Sequence, residues 1–361
     1  MMSAQRLIAL RQEMQNAGLS AVIITQADNR AYLSGFTGSN GILLVTQDLA
    51  QLIVGFIYQE QAAMQAPGWQ IVKQEDSAIA KLAELISEHE ISELGFDQEH
   101  TTYGQLQTYK DFFNQEALEV DLKPYKGIVE KLRQVKDDAE IALISKASEI
   151  SDHAFLRVLN FIRPGVSERE VALELEYALK KMGADSFAFD TIVVSGARSS
   201  MPHGKPTDKI IQNGDFVTMD FGAKYQGYCS DITRTVVVGK PNAEQLKVYQ
   251  TVLQAHLRAL NVAAPGINGS ELDAVARNTI IDAGYGKYFG HGLGHSLGRV
   301  VHEPPSANPK SEVEFVPGNF ITIEPGIYIP NWGGVRIEDT VLITEDGHKS
   351  MNRTSKELII L

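Results

Sequence analysis

The sequence has almost no cysteine: Cys229 is the only one in 361 residues. A disulfide framework within the chain is excluded, and so is a cysteine-rich zinc module. A reducing compartment, the cytoplasm, is the expected location, and Cys229 itself fits a small core residue. Long apolar runs are also missing. No stretch approaches the ~18 apolar residues that span a bilayer. Leu7-Ile8-Ala9-Leu10 is too short for the core of a signal peptide. Positive charge is in deficit, with 33 Lys+Arg against 45 Asp+Glu and a net charge of −12. That balance argues against nucleic acid as a partner. H-E-x-x-H, the P-loop and G-x-G-x-x-G are absent. What remains is ordinary globular usage, 22% charged and 43% hydrophobic. The length suggests two domains at ~150 residues each.

The first ~130 residues alternate helix and strand patterns, as an α/β unit does. Residues 6–17 read as a helix that Gly18 ends, and 78–89 as another. The β-branched runs 21–25, 41–46 and 51–57 read as strands. Residues 27–40 read as a turn-rich loop, and the charged stretch 130–138 as a connector. This places the boundary between domains 1–130 and 131–361, with an error of several residues. The second domain reads as helices near 138–162, 168–182, 243–260 and 271–283, separated by strands. Ser167, Asn242 and Ser270 stand at the helix-capping positions.

An internal repeat organises this second half. Asn213-Gly214-Asp215-Phe216-Val217-Thr218-Met219-Asp220-Phe221-Gly222 is matched, 104 residues later, by Pro317-Gly318-Asn319-Phe320-Ile321-Thr322-Ile323-Glu324-Pro325-Gly326. Each copy is a strand ending in a carboxylate, Asp220 or Glu324. Each is followed by a second strand with its own acid, Asp231 in 230–238 or Glu338 in 335–342. Strand alternation lets Asp220, Asp231, Arg336 and Glu338 share one inner surface. Two related hairpins imply a pseudo-twofold axis and a site that receives four carboxylates. Four buried carboxylates cannot all stay ionised without cations, and paired divalent metals are the usual answer.

Histidines add nitrogen to this oxygen set. Gly290-His291-Gly292-Leu293-Gly294-His295 precedes His302-Glu303-Pro304, and His203 sits in the turn Pro202-His203-Gly204. The glycines would let backbone approach a ligand closely. One imidazole among carboxylates fits manganese, cobalt or zinc. Phe187, Phe189, Tyr225 and Tyr228 fit either a pocket wall or a core.

The ordered set Asp220, Asp231, His295, Glu324 and Glu338, with H-G-x-G-H, I-E-P-G and R-I-E-D, resembles the five-ligand centre of the pita-bread metallopeptidases of family M24. That family includes methionine aminopeptidase, aminopeptidase P and prolidase. Tyr32-Leu33-Ser34-Gly35-Phe36-Thr37-Gly38 is similar to a recurrent loop of the creatinase-type domain that accompanies the Xaa-Pro peptidases. The resemblance implies an α/β creatinase-like domain, then an α+β pita-bread domain with a pseudo-twofold repeat. It implies two divalent ions per chain, with manganese favoured and cobalt or zinc possible, and all five ligands are present. By the same resemblance Asp220 would chelate one metal, and Asp231 and Glu338 would bridge both. His295 and Glu324 would each complete one shell, with Glu324 also the general base. His203 and His302 would hold the scissile carbonyl, His291 would lie on the substrate side, and Arg336 would pair with an acid beside the ligands. The implied partner is a peptide with proline second, bound by a homodimer, without nucleic acid or membrane. Arg299-Val300-Val301 and Ser306 depart from the family pattern. Ser306 stands where dipeptidases often place an arginine, which favours an Xaa-Pro aminopeptidase over an Xaa-Pro dipeptidase. A non-catalytic peptide-binding protein is the remaining alternative.

Overall fold

The structure is a computed structural model that describes the backbone of residues 2–361 and the side chains of residues 4–361. The chain divides into two compact units, Met1–Arg133 and Gln134–Leu361. In the first unit six strands form one mixed sheet. They are β1 (Ala21–Ile24), β2 (Ile42–Thr46), β3 (Ala50–Val54), β4 (Gln70–Lys73), β5 (Glu93–Asp97) and β6 (Asp121–Tyr125), in the order β4-β3-β2-β1-β5-β6. The strands β1, β2 and β3 are mainly apolar because the sheet is covered on both faces. Val22, Ile24, Leu43, Val45, Leu52 and Val54 pack on one side with Leu10, Met14 and Leu33. Ala21, Ile23, Ile42, Leu44 and Ile53 pack on the other with Leu82, Leu85, Ile86 and Phe113. The covering helices are α1 (Met2–Asn16), α2 (Ala27–Ser34), α3 (Gln59–Gln65), α4 (Ala78–Glu88) and α5 (Tyr103–Gln115).

Two expectations for this region need correction. Residues 27–34 are helix α2 rather than loop, capped by the Gln26 side chain on the Asn29 amide and ended by Gly35 in the left-handed region. The polar residues that suggested a turn are buried and bonded. Arg30 is 2% exposed and donates to the carbonyls of Thr25, Gly38 and Gly41, so it pins the whole 35–41 segment. The 130–138 stretch is not a plain connector. It holds α6 (Ile128–Gln134), and then Asp137, which with Glu140 forms the capping box of α7 (Asp138–Val158).

The second unit continues with α8 (Glu168–Lys181), α9 (Ala243–Val262) and α10 (Gly269–Asp282). The cap of α10 is Asn268, not Ser270; its side chain accepts from the Glu271 amide, and Glu271 reaches back to the Asn268 amide. Thirteen further strands run from β7 (Ser186–Phe187) and β8 (Ile192–Ser195) to β9 (Phe216–Phe221), β10 (Ala223–Tyr225), β11 (Tyr228–Cys229) and β12 (Ile232–Val237). After the helices come β13 (Gly294–Ser296), β14 (Glu303–Ala307), β15 (Phe320–Ile323), β16 (Gly326–Ile329), β17 (Gly333–Arg336), β18 (Asp339–Thr344) and β19 (Gly347–Ser350).

The repeat is realised as two sheets, β12-β9-β8 and β15-β18-β19. Val217, Met219 and Phe221 pack under α7 and α8 with Ala147, Phe155 and Leu175. Ile321, Ile323, Val341 and Ile343 pack under α9 and α10 with Val252, Leu253, Leu272 and Ile280. Each half thus buries its own helix pair, which leaves the opposite strand face free for polar chemistry. The 335–342 segment is not one strand. Arg336 ends β17 and Asp339 begins β18, so Ile337 and Glu338 lie between ladders. The Glu338 amide donates to the Thr233 carbonyl instead, which ties the two halves of the repeat together.

No helix among the described residues is long and apolar enough to cross a membrane. The buried Arg30 predicts a local weakness. Arg30→Met strands three carbonyls, at a cost of about 1–3 kcal/mol for a buried group left without its partner. Amide hydrogen exchange should quicken across 21–24 and 42–46 and stay unchanged across 216–221.

Candidate metal centre and active-site cavity

All nine residues singled out from the sequence line one cavity of about 580 Å³ in the second unit: His203, Asp220, Asp231, His291, His295, His302, Glu324, Arg336 and Glu338. Asp220 is the fifth residue of β9 and stands opposite Ile192 on one side and Thr233 on the other. Asp231 directly precedes β12, and Glu324 directly follows β15. His295 is the middle of β13, and its amide donates to Thr322 Oγ1 at 3.0 Å.

Asp231 and Glu338 are buried and Asp220 and Glu324 half-buried, close enough together to shift one another's affinity for a proton. Burial, then repulsion from Glu338, Asp220 and Glu324, pushes the Asp231 carboxyl well above the usual range. Burial, then Glu324 and Asp220, does the same to Glu338. Burial also raises Asp220, against the opposing pull of Arg336, whose Nη2 lies 2.6 Å from Asp220 Oδ2. For Glu324, burial alone would act upward, but the hydrogen bond and charge of His295 bring it below the ordinary value. Arg336 is fully engaged. Its Nη1 donates to Tyr328 Oη at 2.8 Å, and its Nε to Thr233 Oγ1 at 3.0 Å. Thr233 Oγ1 in turn donates to Glu338 Oε2 at 2.7 Å. Burial pushes the Tyr328 hydroxyl up to about 12, so it stays protonated.

Three observations fit a cation among these groups. Asp220 Oδ1 and Asp231 Oδ1 are buried and have no hydrogen-bond partner. His295 Nδ1 faces the Ser296 carbonyl at 3.1 Å, which makes Nδ1 the donor and leaves a lone pair on Nε2. That Nε2 lies 3.3 Å from Glu324 Oε1 and 3.7 Å from Asp231 Oδ2, an arrangement of acceptors that needs a proton or a metal ion between them. The ligand atoms of Asp231, His295 and Glu338 all lie within 4.8 Å of one another. Carboxylate oxygens with a single imidazole suit a hard or borderline divalent ion.

The other histidines line the same space. The His302 ring lies 4.3 Å from that of His295, and burial, then His295, lowers its affinity for a proton. Burial likewise lowers His291, whose Nε2 is 3.0 Å from Tyr328 Oη. Both are therefore neutral near pH 7.

Some features escaped the sequence patterns. Thr322 bonds both the His295 amide and Glu324 Oε1, and Tyr328 joins His291 to Arg336. The repeat held a clue to the first, since Thr322 is to Glu324 as Thr218 is to Asp220. Gly292 and Gly294 line the cavity, and their lack of a side chain also serves backbone packing. A side chain on Gly294 would strike the Thr322 carbonyl at 1.8 Å, and one on Gly292 would strike Asn308. Gly294-His295-Ser296-Leu297-Gly298 also spells G-x-S-x-G, but Ser296 is buried on a strand and bonded by Lys136 Nζ, not poised at a strand-to-helix turn. Among the candidate aromatics, Phe189 lines the cavity, Phe187 and Tyr225 pack against the α7/α8 core, and Tyr228 is buried with its hydroxyl on Glu140. Cys229 is buried. A second group, Asp97, His100 and Glu130, lies in the first unit; His100 Nδ1 is 2.8 Å from Asp97, and Asn29 donates to Glu130.

Sheets built on this repeat, with an acid at each hairpin, bring together a carboxylate and imidazole set of the kind that metallohydrolases use. Comparison with known proteins agrees. Residues 142–345 match the model of metallopeptidase family M24, and residues 6–135 match the creatinase/prolidase N-terminal domain. The chain belongs to metallopeptidase family M24. It is 42% identical to an Xaa-Pro dipeptidase of Pyrococcus horikoshii, over 96% of both chains. It superposes on an Xaa-Pro dipeptidase from Bacillus anthracis with a TM-score of 0.96 at 44% identity, over 99% of this chain and 100% of that one. It superposes on an X-Pro aminopeptidase from Thermotoga maritima with a TM-score of 0.90 at 35% identity, over 97% and 100%.

Repulsion at Asp231 gives a stability test on metal-free protein. The native carboxyl is raised, so its charged form opposes folding above that raised value and costs nothing below the ordinary carboxyl range. Asp231→Asn should raise the thermal midpoint of the metal-free protein at neutral pH, by roughly 2–4 °C for each kcal/mol relieved. The gain should vanish as the pH falls through the native value towards 4. A calorimetric series with and without chelator checks both.

Proposed function

We propose that this chain hydrolyses Xaa-Pro dipeptides, using two divalent metal ions held by Asp220, Asp231, His295, Glu324 and Glu338. The observation that carries this reading is identity above 40% to Xaa-Pro dipeptidases along nearly the whole length of both chains. The uncharged Ser306 had pointed to an aminopeptidase. It lies on β14 opposite His295 and accepts from Asn308, so it offers no anchor of either sign. Xaa-Pro aminopeptidase is the second reading, favoured by the likeness to the Thermotoga structure.

Asp231 and Glu338, both pushed well above the usual carboxyl range, would gain most from bound cations and would hold the metal with Asp220, His295 and Glu324. Bound metal supplies Lewis-acid polarisation and lowers the pKa of a water. Glu324 stays ionised beside His295 and accepts the proton of the attacking water. His302 is neutral and carries an N–H that can donate to the oxygen of the scissile carbonyl as charge develops there. His203 opens onto the same cavity from the 201–207 turn and completes the polar grip on that carbonyl. Arg336 holds Asp220 directly and Glu338 through Thr233, which fixes two ligands with one side chain.

With manganese, cobalt or zinc present, the purified protein should cleave Ala-Pro faster than Ala-Pro-Ala. The reverse order supports the aminopeptidase, and cleavage of neither sinks both readings. A second test separates binding from chemistry. His302→Ala should retain metal and lose ~10²–10³ in kcat, the usual effect of deleting one oxyanion donor. His295→Ala should lose metal itself. Metal content, thermal midpoint and kcat measured together decide it; equal metal loss in both variants would refute the division of roles.

A further inference from the structure

The cavity wall contains a hydroxyl with nothing to bond. Thr191 is 5% exposed and lines the cavity, and its Oγ1 is buried without a hydrogen-bond partner. Buried hydroxyls are rarely left so, because the unmet bond costs stability. Thr191 directly precedes β8, whose first residue Ile192 stands opposite Asp220. The orphan hydroxyl is therefore borne by the strand next to an expected metal ligand.

Beside it stands a pair of opposite charges. Lys205 Nζ lies 3.3 Å from Asp190 Oδ2, and both side chains line the same cavity. They are 81% and 89% exposed, so their bond is worth little and is easily exchanged. The backbone beneath Lys205 is fixed, however. Its carbonyl accepts from Arg198 Nη2 at 2.7 Å, and the buried Glu168 holds both Arg198 and Thr207. Among the described residues lining the cavity, the other full cation is Arg336, which is used up on Asp220, Tyr328, Thr233 and the Pro202 carbonyl.

We propose that Lys205 Nζ and Thr191 Oγ1 form the subsite for the free carboxylate of the substrate's proline. The assignment rests on the dipeptidase reading above. In an Xaa-Pro dipeptide the carboxyl carbon lies three bonds beyond the scissile carbonyl carbon, a reach of about 3–4 Å. Neighbouring strands are spaced ~4.8 Å apart. Thr191, which precedes the strand beside Asp220, is thus at about that range when the scissile carbonyl faces the acids. Lys205 leaves Asp190 for the substrate carboxylate, and Thr191 donates the second hydrogen bond from below. A peptide that continues past proline presents a neutral amide here and forgoes the charge.

The test uses metal-loaded protein and compares Ala-Pro with Ala-Pro-amide, which share a scissile bond and differ in the charge. Wild type should favour the dipeptide in kcat/KM. Lys205→Gln should lower the dipeptide-to-amide ratio by ~10–100-fold, as for a lost hydrogen bond to a charged group. Lys205→Arg should restore most of it. Thr191→Val keeps the side-chain shape and removes only the hydroxyl; it should lower the ratio while the thermal midpoint holds or rises. The losses should appear chiefly in KM, since the group does not react. Calorimetric binding of L-proline against L-prolinamide gives a readout without turnover: wild type discriminates, and Lys205→Gln does not. If wild type prefers the dipeptide and both variants keep that preference, the subsite assignment is overturned and the dipeptidase reading stands. If wild type makes no distinction, the dipeptidase reading fails and takes this assignment with it.

Discussion

The constraint on which the second unit turns is mutual repulsion among four carboxylates packed into one cavity, two of them buried and two half-buried. Asp220, Asp231, Glu324 and Glu338 share one cavity, and a single guanidinium, that of Arg336, stands among them. Burial alone makes each ionised acid costly, and their proximity adds to the cost. A fold could escape by protonation, and Asp231 and Glu338 are driven that way in the absence of other charge. The unpartnered Oδ1 atoms of Asp220 and Asp231 mark where protein donors stop. Further neutralisation has to come from cations, which is why the fold reads as a metalloprotein even before relatives are considered.

Rigid support keeps those acids in place against their repulsion. Each half of the repeat sets its apolar strand face against its own helix pair, so the hairpins are anchored independently. The halves are then stitched together by bonds between their hairpins. The Glu338 amide bonds the Thr233 carbonyl, and the buried Arg234 grips the Glu338 carbonyl together with the Asp339 carboxylate at 2.8 Å. Burial would raise Asp339, but Arg234, His256 and Lys356 hold it far below the usual range. A fully paired acid thus sits next to Glu338, an acid left short of positive charge. The first is structural and the second is available to a ligand, although the two are adjacent in sequence.

The site was legible because its information is periodic. The 104-residue repeat and strand alternation bring Asp220, Asp231, Glu324 and Glu338 together without knowledge of the loops. The α/β pattern of the first unit was legible for the same reason, since β1, β2 and β3 are mainly apolar runs. What stayed hidden depends on single long-range bonds. Helix α2 carries Asp28, Asn29 and Ser34, residues that locally favour turns, and it holds because Arg30 finds three carbonyls elsewhere in the chain. The break at Glu338 arises from a bond to Thr233 across the repeat, which no local propensity encodes. Thr191 and Tyr328 were invisible for the same reason: a lone hydroxyl has no periodicity, and only burial reveals whether it is bonded.

Charge accounting joins the metal centre to the substrate pocket. Without metal the cavity holds four acids against Arg336, and a substrate carboxylate would enter a negative field. On the proposed reading, two divalent cations would bring four positive charges and turn the same space slightly positive with His291 and His302 neutral. Metal loading would then invert the sign seen by an incoming anion. In a cavity with low-dielectric walls such an inversion is felt across several ångströms. The exposed Lys205–Asp190 pair at the mouth is nearly neutral by itself and cannot supply that field. In the proposed subsite it would only choose, once the interior is positive, between a chain that ends in a charge and one that continues. On the proposed reading, catalytic competence and selectivity for a chain end would be two consequences of one electrostatic change, set by the acids of the repeat and read out at its rim.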